Sequence, residues 1–249
     1  MAWWEVLFPP PPVCLCCENT YLYSRISHLC NSCLSELSFR RKPKVRPETL
    51  TDGDFPFQTL TSDRDQLSSV EIISPLNYRG EARRLIRDLK YRGLMEAALP
   101  LSELMSAVWR NAAGDFSFSS LLLPIPLGSQ RQKERGFNQA ALLTALVGQD
   151  LGLHFREDIL LRRRETPALF DLTPVQRREV LSGAFRLRPG TEMFLSGQRI
   201  LLIDDIVTTG STLREAAGLL KARGALEVRA LTAAAAAVRE DNGFFSRTL

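Results

Sequence analysis

The chain has 249 residues, 45% hydrophobic and 24% charged. That is the make-up of an ordinary globular protein with room for one large domain and an appendage, which excludes a disordered or fibrous chain. Its 32 basic and 28 acidic side chains leave a formal charge of +4, too small an excess to point by itself to nucleic acid. No apolar run approaches the ~20 residues of a membrane span, and residues 1–13 lack the basic start and long apolar stretch of a signal peptide, so a cytoplasmic protein is expected.

In chain order, Trp3, Trp4, Val6, Leu7 and Phe8 precede the polyproline Pro9 to Pro12, and all five cysteines then fall between Cys14 and Cys33. Cys14-x-x-Cys17 and Cys30-x-x-Cys33, 12 residues apart, have the spacing of two knuckles that supply four thiolates to a tetrahedral zinc ion. Four thiolates leave no open coordination position, so such a zinc is structural. Disulfides are the competing reading, disfavoured by the expected cytoplasmic setting and by the odd count, with Cys16 left over. His28 stands as a lesser alternative ligand. The expected organisation is a four-cysteine zinc-binding module over residues 1–38, a linker or irregular segment over 39–66, and a large domain over 67–249. Arg40, Arg41, Lys42, Lys44 and Arg46 read first as solvated linker charge, with contact to DNA or a protein partner as the lesser alternative.

Beyond the linker, β-like and helical runs alternate. Val70–Ile73 reads as a strand, 81–90 as a helix, Leu121–Leu123 as a buried strand, and 139–151 as a helix. Arg199–Ile203 reads as a strand, 211–223 as a helix, and 226–235 as a further strand. Alternation with continuous apolar strands predicts an α/β fold, a mostly parallel sheet covered by helices on both faces.

Ile200 to Ile203 contain no polar residue and end abruptly in Asp204-Asp205, at the strand edge where open α/β sheets bind ligands. Ile206-Val207 and the loop Thr208-Thr209-Gly210-Ser211-Thr212 follow, leading into a helix whose Leu213, Ala216, Ala217 and Leu220 share one face. Free backbone N–H groups, the helix dipole and hydroxyls converge there, and Gly210 permits close approach, so a phosphate is held without a basic side chain. Asp204 and Asp205 accept hydrogen bonds from vicinal hydroxyls, so the segment suits a ribose phosphate. The plainer alternative is an Asp cap with helix-start threonines. Four apolar residues, two acids and Thr-Thr-Gly-Ser-Thr resemble the phosphoribosyl pyrophosphate signature of type I phosphoribosyltransferases. That resemblance implies ribose binding by Asp204 and Asp205, and 5′-phosphate binding by Thr208, Thr209, Gly210, Ser211 and Thr212.

A second strand, Leu121 to Leu123, runs through Pro124-Ile125-Pro126-Leu127 into Arg131, Lys133 and Arg135 before Gly136-Phe137-Asn138-Gln139. This basic loop suits a pyrophosphate clamp, because arginine forks meet phosphate oxygens whose charge grows as the leaving group departs. A solvated basic turn is the alternative. Arg162, Arg163, Arg164, Arg177 and Arg178 lie where a transferase needs a water-excluding cover; surface charge or a DNA-binding edge fits them equally.

Together with Asn77-Tyr78-Arg79-Gly80 and Leu89-Lys90-Tyr91, these motifs resemble the ComF family along nearly the whole chain. The resemblance implies a four-cysteine zinc module joined to a phosphoribosyltransferase-like domain, with a role in handling single-stranded DNA during natural transformation beside a helicase-like partner. It also adds Lys90 to the pyrophosphate-binding candidates. The chain departs from the family at Leu169, where Gln is usual after Thr-Pro-x, and at Val180, where Asn is common; Leu172, Arg177 and Gly183-Ala184-Phe185 are kept. The expectation is therefore a protein that binds phosphoribosyl pyrophosphate with Mg²⁺ and transfers the phosphoribosyl group to an unspecified acceptor, no residue standing out as a general base. The alternative is a non-catalytic ribose-phosphate-binding or single-stranded-DNA-processing accessory protein.

Overall fold

The structure is a computed structural model that describes residues 11–40, 70–112, 116, 120–163 and 183–236. The predicted linker beyond Arg40 and residues 164–182, which hold Arg164, Leu169, Arg177, Arg178 and Val180, lie outside the described residues. In chain order the first elements are helix α1 (Asn31–Glu36), strands β1 (Glu71–Ile73) and β2 (Leu76–Asn77), and helix α2 (Gly80–Arg87). A π-helical turn (Asp88–Arg92), a 3-10 turn (Met95–Ala97) and helix α3 (Ala98–Ala112) follow. Next come strand β3 (Ser120–Pro124), helices α4 (Ser129–Arg135) and α5 (Gln139–Leu151), and strands β4 (Leu160–Arg162) and β5 (Phe185–Leu187). A 3-10 turn (Glu192–Phe194), strand β6 (Arg199–Val207), helix α6 (Ser211–Ala222) and strand β7 (Glu227–Ala235) complete the order.

The main sheet is parallel in the order β1-β7-β6-β3, with β2 resuming beside β7 where β1 stops. The interruption is Ser74-Pro75. Proline has no N–H for the ladder, and the buried Ser74 hydroxyl instead pairs with that of Thr232 at 2.6 Å. Successive residues of β6 point to opposite faces. Leu201 and Ile203 join the core under α3 and α5, with Leu104, Trp109, Leu143 and Val147. Ile200 and Leu202 join the core under α6, with Leu213, Ala216, Ala217 and Leu220. The α/β class read from the alternation is what the chain forms. The alanines of β7 lie in a buried strand where their small side chains let helices approach, and Ala233, Ala234 and Ala235 are fully buried.

Three elements differ from the sequence expectation. β6 does not stop at Ile203 but pairs with β7 as far as Val207 opposite Ala235. The basic stretch before Gly136 is helix α4 rather than a loop. The segment predicted as a helix to Lys90 is α-helical to Arg87 and then widens into the π-helical turn, which Gly93 ends at φ 66°. Helix α3 and the antiparallel β4–β5 pair were not anticipated.

The four-cysteine segment packs on this domain. Cys14, Ile26, Leu29 and Cys33 share one hydrophobic cluster with Leu85, Ile86, Leu89 and Leu104. Its exit runs antiparallel beside β2 through a Phe39–Leu76 bridge, and the Asn77 N–H donates to the Ser38 carbonyl at 2.7 Å. Among the described residues no helix is long and apolar enough to cross a membrane.

Candidate functional site

Asp204 and Asp205 stand inside the last stretch of β6, where Asp204 pairs with Thr232 and Ile206 with Ala234 on β7. The ladder holds both carboxylates on rigid backbone at the sheet's carboxyl edge. The Asp204 Oδ1 accepts from the Asp205 N–H at 2.8 Å. The Asp205 Oδ2 lies 2.8 Å from the Lys90 Nζ, with the two side chains only 11% and 14% exposed. Lys90 reaches it from the π-helical turn. Ala82, Leu85, Ile86 and Leu89 anchor the inner side of α2 and the turn, and π-turns of this kind recur at functional sites.

The carboxyl of Asp204 is pushed up to about 7, first by burial and then by the neighbouring Asp205 charge, against the opposing pull of Lys90 and Arg162. Adjacent carboxylates resist joint ionisation, and one cation on Asp205 leaves its neighbour the proton-holding member.

The turn after β6 is short. Gly210 adopts φ +73°, and a Cβ there would meet the Ile72 Cδ1 at 3.0 Å, so the turn rests directly on β1. The hydroxyls of Thr209 and Ser211 pair at 2.7 Å, and the Arg214 Nη2 donates to the Thr209 carbonyl at 2.7 Å. The Arg214 N–H is the first donor to bond back to Gly210. The N–H groups of Ser211, Thr212 and Leu213 therefore precede the helical ladder, at the positive end of the α6 dipole.

The turn after β3 lies beside that edge, tied by the Ile125 N–H donating to the Ile203 carbonyl at 2.9 Å. Asn138 has a structural place: its side-chain carbonyl caps α5 at the Ala140 N–H, and its Nδ2 donates to the Ile125 carbonyl, each at 3.1 Å. Arg135 is bound by the Gln139 Oε1 at 3.0 Å and lies over the Tyr91 ring, 5.2 Å from its centroid. That contact links α4 to the turn carrying Lys90. Arg131 lies on the same helix half-buried and Lys133 exposed, and neither forms an ion pair with a described residue. Arg162, at the end of β4, reaches the Pro126 carbonyl at 3.5 Å and lies 5.6 Å from the Phe185 ring centroid. The sequence placed Arg162 only as one of a basic run. Its contact with the β3 turn follows from the β4–β5 pairing, which no local pattern announced.

The sulfurs of Cys14, Cys17, Cys30 and Cys33 lie within 4.8 Å of one another, with the Cys17 and Cys30 sulfurs 3.7 Å apart. A tetrahedron with bonds of about 2.3 Å has edges of about 3.8 Å, so the set fits a metal ion held by four thiolates. Burial opposes the Cys14 thiolate, but backbone N–H groups of Cys17, Cys30 and Cys16 converge on its sulfur and bring it down to about 6. Cys16 and His28 are not members of the cluster. Cys16 is buried toward Glu81, and burial together with that carboxylate pushes its thiol well up.

The phosphoribosyl transferase domain family matches residues 174–243, a range that contains the Asp204–Thr212 segment. The chain is 31% identical over 160 residues to the DNA utilization protein YhgH of Salmonella typhimurium, covering 64% of this chain and 69% of that relative. It is 31% identical over 147 residues to the competence protein F of Haemophilus influenzae, covering 58% of this chain and 64% of that relative. With the competence protein ComFC of Bacillus subtilis it shares 26% identity over 227 residues, covering 89% of this chain and 84% of that relative.

Proposed function

The chain belongs to the ComF family, and from that premise we propose that it binds phosphoribosyl pyrophosphate at the carboxyl ends of β3 and β6 and serves the uptake and handling of DNA. The observation that carries the reading is the joining of two acceptors to one anion cradle: Asp204 and Asp205 lie in the last stretch of β6, and three N–H groups of α6 open just beyond the turn that follows. In this reading Asp204 and Asp205 accept the ribose hydroxyls, while Thr208, Thr209, Gly210, Ser211 and Thr212 receive the 5′-phosphate. Lys90 leaves Asp205 for the pyrophosphate, which Arg135, Arg131 and Lys133 also meet. Asp204 and Asp205 offer oxygen donors of the kind Mg²⁺ takes, and an ion held there with the ligand would offset the charge of the departing pyrophosphate.

The transfer step breaks the ribosyl C1–oxygen bond, and the pyrophosphate leaves with the electron pair. A nucleophilic acceptor forms the new bond to C1 and loses its proton. The chain contributes positioning of the ring by the two carboxylates and cations against the leaving group.

Calorimetric titration with phosphoribosyl pyrophosphate and Mg²⁺ tests the site: the D204N/D205N double variant is expected to lose at least about 100-fold in affinity. Equal binding by wild type and variant, or no binding by either, overturns the reading. A second reading, ligand binding without turnover, draws on the Lys90–Asp205 pair that occupies one carboxylate and on the departures at Leu169 and Val180. Retained binding without pyrophosphate release across candidate acceptors would favour it.

For the cysteine cluster we assign Zn²⁺ in a structural role, in a cytoplasmic setting that keeps thiols reduced. The names of the relatives, in DNA utilization and competence, support DNA as a partner; that the DNA is single-stranded and that a helicase-like protein accompanies it rest on the family resemblance alone.

A further inference from the structure

Outside the site just described, a cleft of about 390 Å³ is lined by Gly80, Arg83, Arg84, Arg87, Asp88, Tyr91 and Arg92. Four arginines meet there, and among the described residues two carboxylates answer them. Asp88 lies 3.8 Å from Arg84 and 3.4 Å from Arg92, and Glu18 touches the rim at 3.8 Å from Arg84. Arg83 and Arg87, one helical turn apart and both exposed, have no ion-pair partner among the described residues. Like charges at this spacing destabilise a helix. Such an arrangement is therefore suited to an anion that arrives from outside.

Two further observations narrow the anion. Tyr91 stands in the cleft 70% exposed, an aromatic face among arginines, which is the combination that stacks a base while cations track its backbone. The cleft also shares the turn 88–92 with the ribose-phosphate site. Lys90 leaves that turn toward Asp205, Tyr91 and Arg92 leave it toward the cleft, and Arg135 lies over Tyr91. The run from Arg83 to Arg92 extends about 13 Å along the helix axis, long enough for a few successive phosphodiesters.

We propose that the Arg83–Arg87–Tyr91–Arg92 cleft binds single-stranded polynucleotide and brings its strand to the turn that carries Lys90. The proposal rests on the DNA part of the reading above and supplies a surface for it. An acidic protein surface is the competing occupant; the run of cations with an exposed aromatic face along one helix favours the polynucleotide, and polyglutamate tests the alternative.

The test uses the full-length protein and a fluorescein-labelled oligo(dT) of about 20 nucleotides, followed by anisotropy between about 50 and 200 mM salt. Wild type is expected to bind with an affinity that falls steeply with salt. The R83A/R87A variant is expected to bind at least about tenfold more weakly. Its log–log salt slope should be shallower by about 1 to 1.5, since each phosphate that a cation no longer neutralises takes roughly 0.7 from the slope. Its circular dichroism and its affinity for phosphoribosyl pyrophosphate should be unchanged. Y91A is expected to weaken binding about fivefold or more, and Y91F to retain it. Wild-type affinity and slope in R83A/R87A overturn the proposal, as does full competition by dTMP at the same nucleotide concentration. So does an inert oligonucleotide alongside tight binding of polyglutamate. Loss of phosphoribosyl pyrophosphate binding in D204N/D205N is read separately, so the two assignments fail independently.

Discussion

Two consecutive carboxylates at the end of β6 share one ammonium, and the division between them is unequal. Lys90 pairs with Asp205 at 2.8 Å, while Asp204 is pushed up to about 7, against an ordinary 3.8, by burial and by its neighbour's charge. A carboxyl whose folded value lies above its unfolded one holds a proton that the unfolded chain has lost. Its stabilisation is therefore fully present below about pH 4 and is lost as pH rises toward 7. Asp204→Asn removes that loss. Thermal unfolding of D204N should match wild type near pH 4 and exceed it at pH 8 by about 2–6 °C, or roughly 1–2 kcal/mol. This is less than the full shift implies, because Asp204 keeps part of its surface open to water. Equal melting at pH 8 would contradict the assignment. The acidic pair itself was legible from the polarity break after Ile203. Its ion pair was not, because Lys90 lies far away in the chain and was singled out only through the family resemblance.

At the scale of elements, the functional unit is β6, its turn and α6, and Gly210 is the hinge between them. The residue has φ +73°, and an added Cβ would lie 3.0 Å from the Ile72 Cδ1. Gly210→Ala is expected to cost about 1–2 kcal/mol from the left-handed backbone alone, seen as a lower denaturant midpoint. Affinity for phosphoribosyl pyrophosphate should fall with it, since the left-handed backbone of the turn is strained by a side chain and either the turn or the Ile72 side chain must give by a few tenths of an ångström. An unchanged midpoint would show that the turn relaxes freely. The amphipathic face of α6 was readable from Leu213, Ala216, Ala217 and Leu220, all of which are buried. The end of β6 was not. Two aspartates are poor strand formers, yet pairing with the alanines of β7 carries the strand on to Val207.

At the scale of the whole molecule, the four-cysteine segment and the domain beside it share a core: Cys14, Leu29 and Cys33 cluster with Leu85 and Ile86 of α2 and with Leu89 of the turn that carries Lys90. Metal removal is therefore expected to destabilise the domain as well as the knuckles. Chelation monitored by circular dichroism, with released metal measured colorimetrically, should lower the unfolding temperature by at least about 5 °C, roughly 2 kcal/mol. An unshifted transition after metal release would mean that the packing is not coupled. The amino-acid sequence by itself determined the α/β class, the acidic pair with its hydroxyl-rich helix start, and the four paired cysteines, because each is a local pattern: apolar runs, a polarity break, a fixed spacing. Only the tertiary structure decided that Lys90 closes on Asp205, that Arg162 reaches the turn after β3, and that Arg83 and Arg87 join Tyr91 and Arg92 around one cleft. Those contacts depend on how the chain crosses over its sheet and on where α2 opens into a π-helical turn, and no spacing along the sequence encodes either.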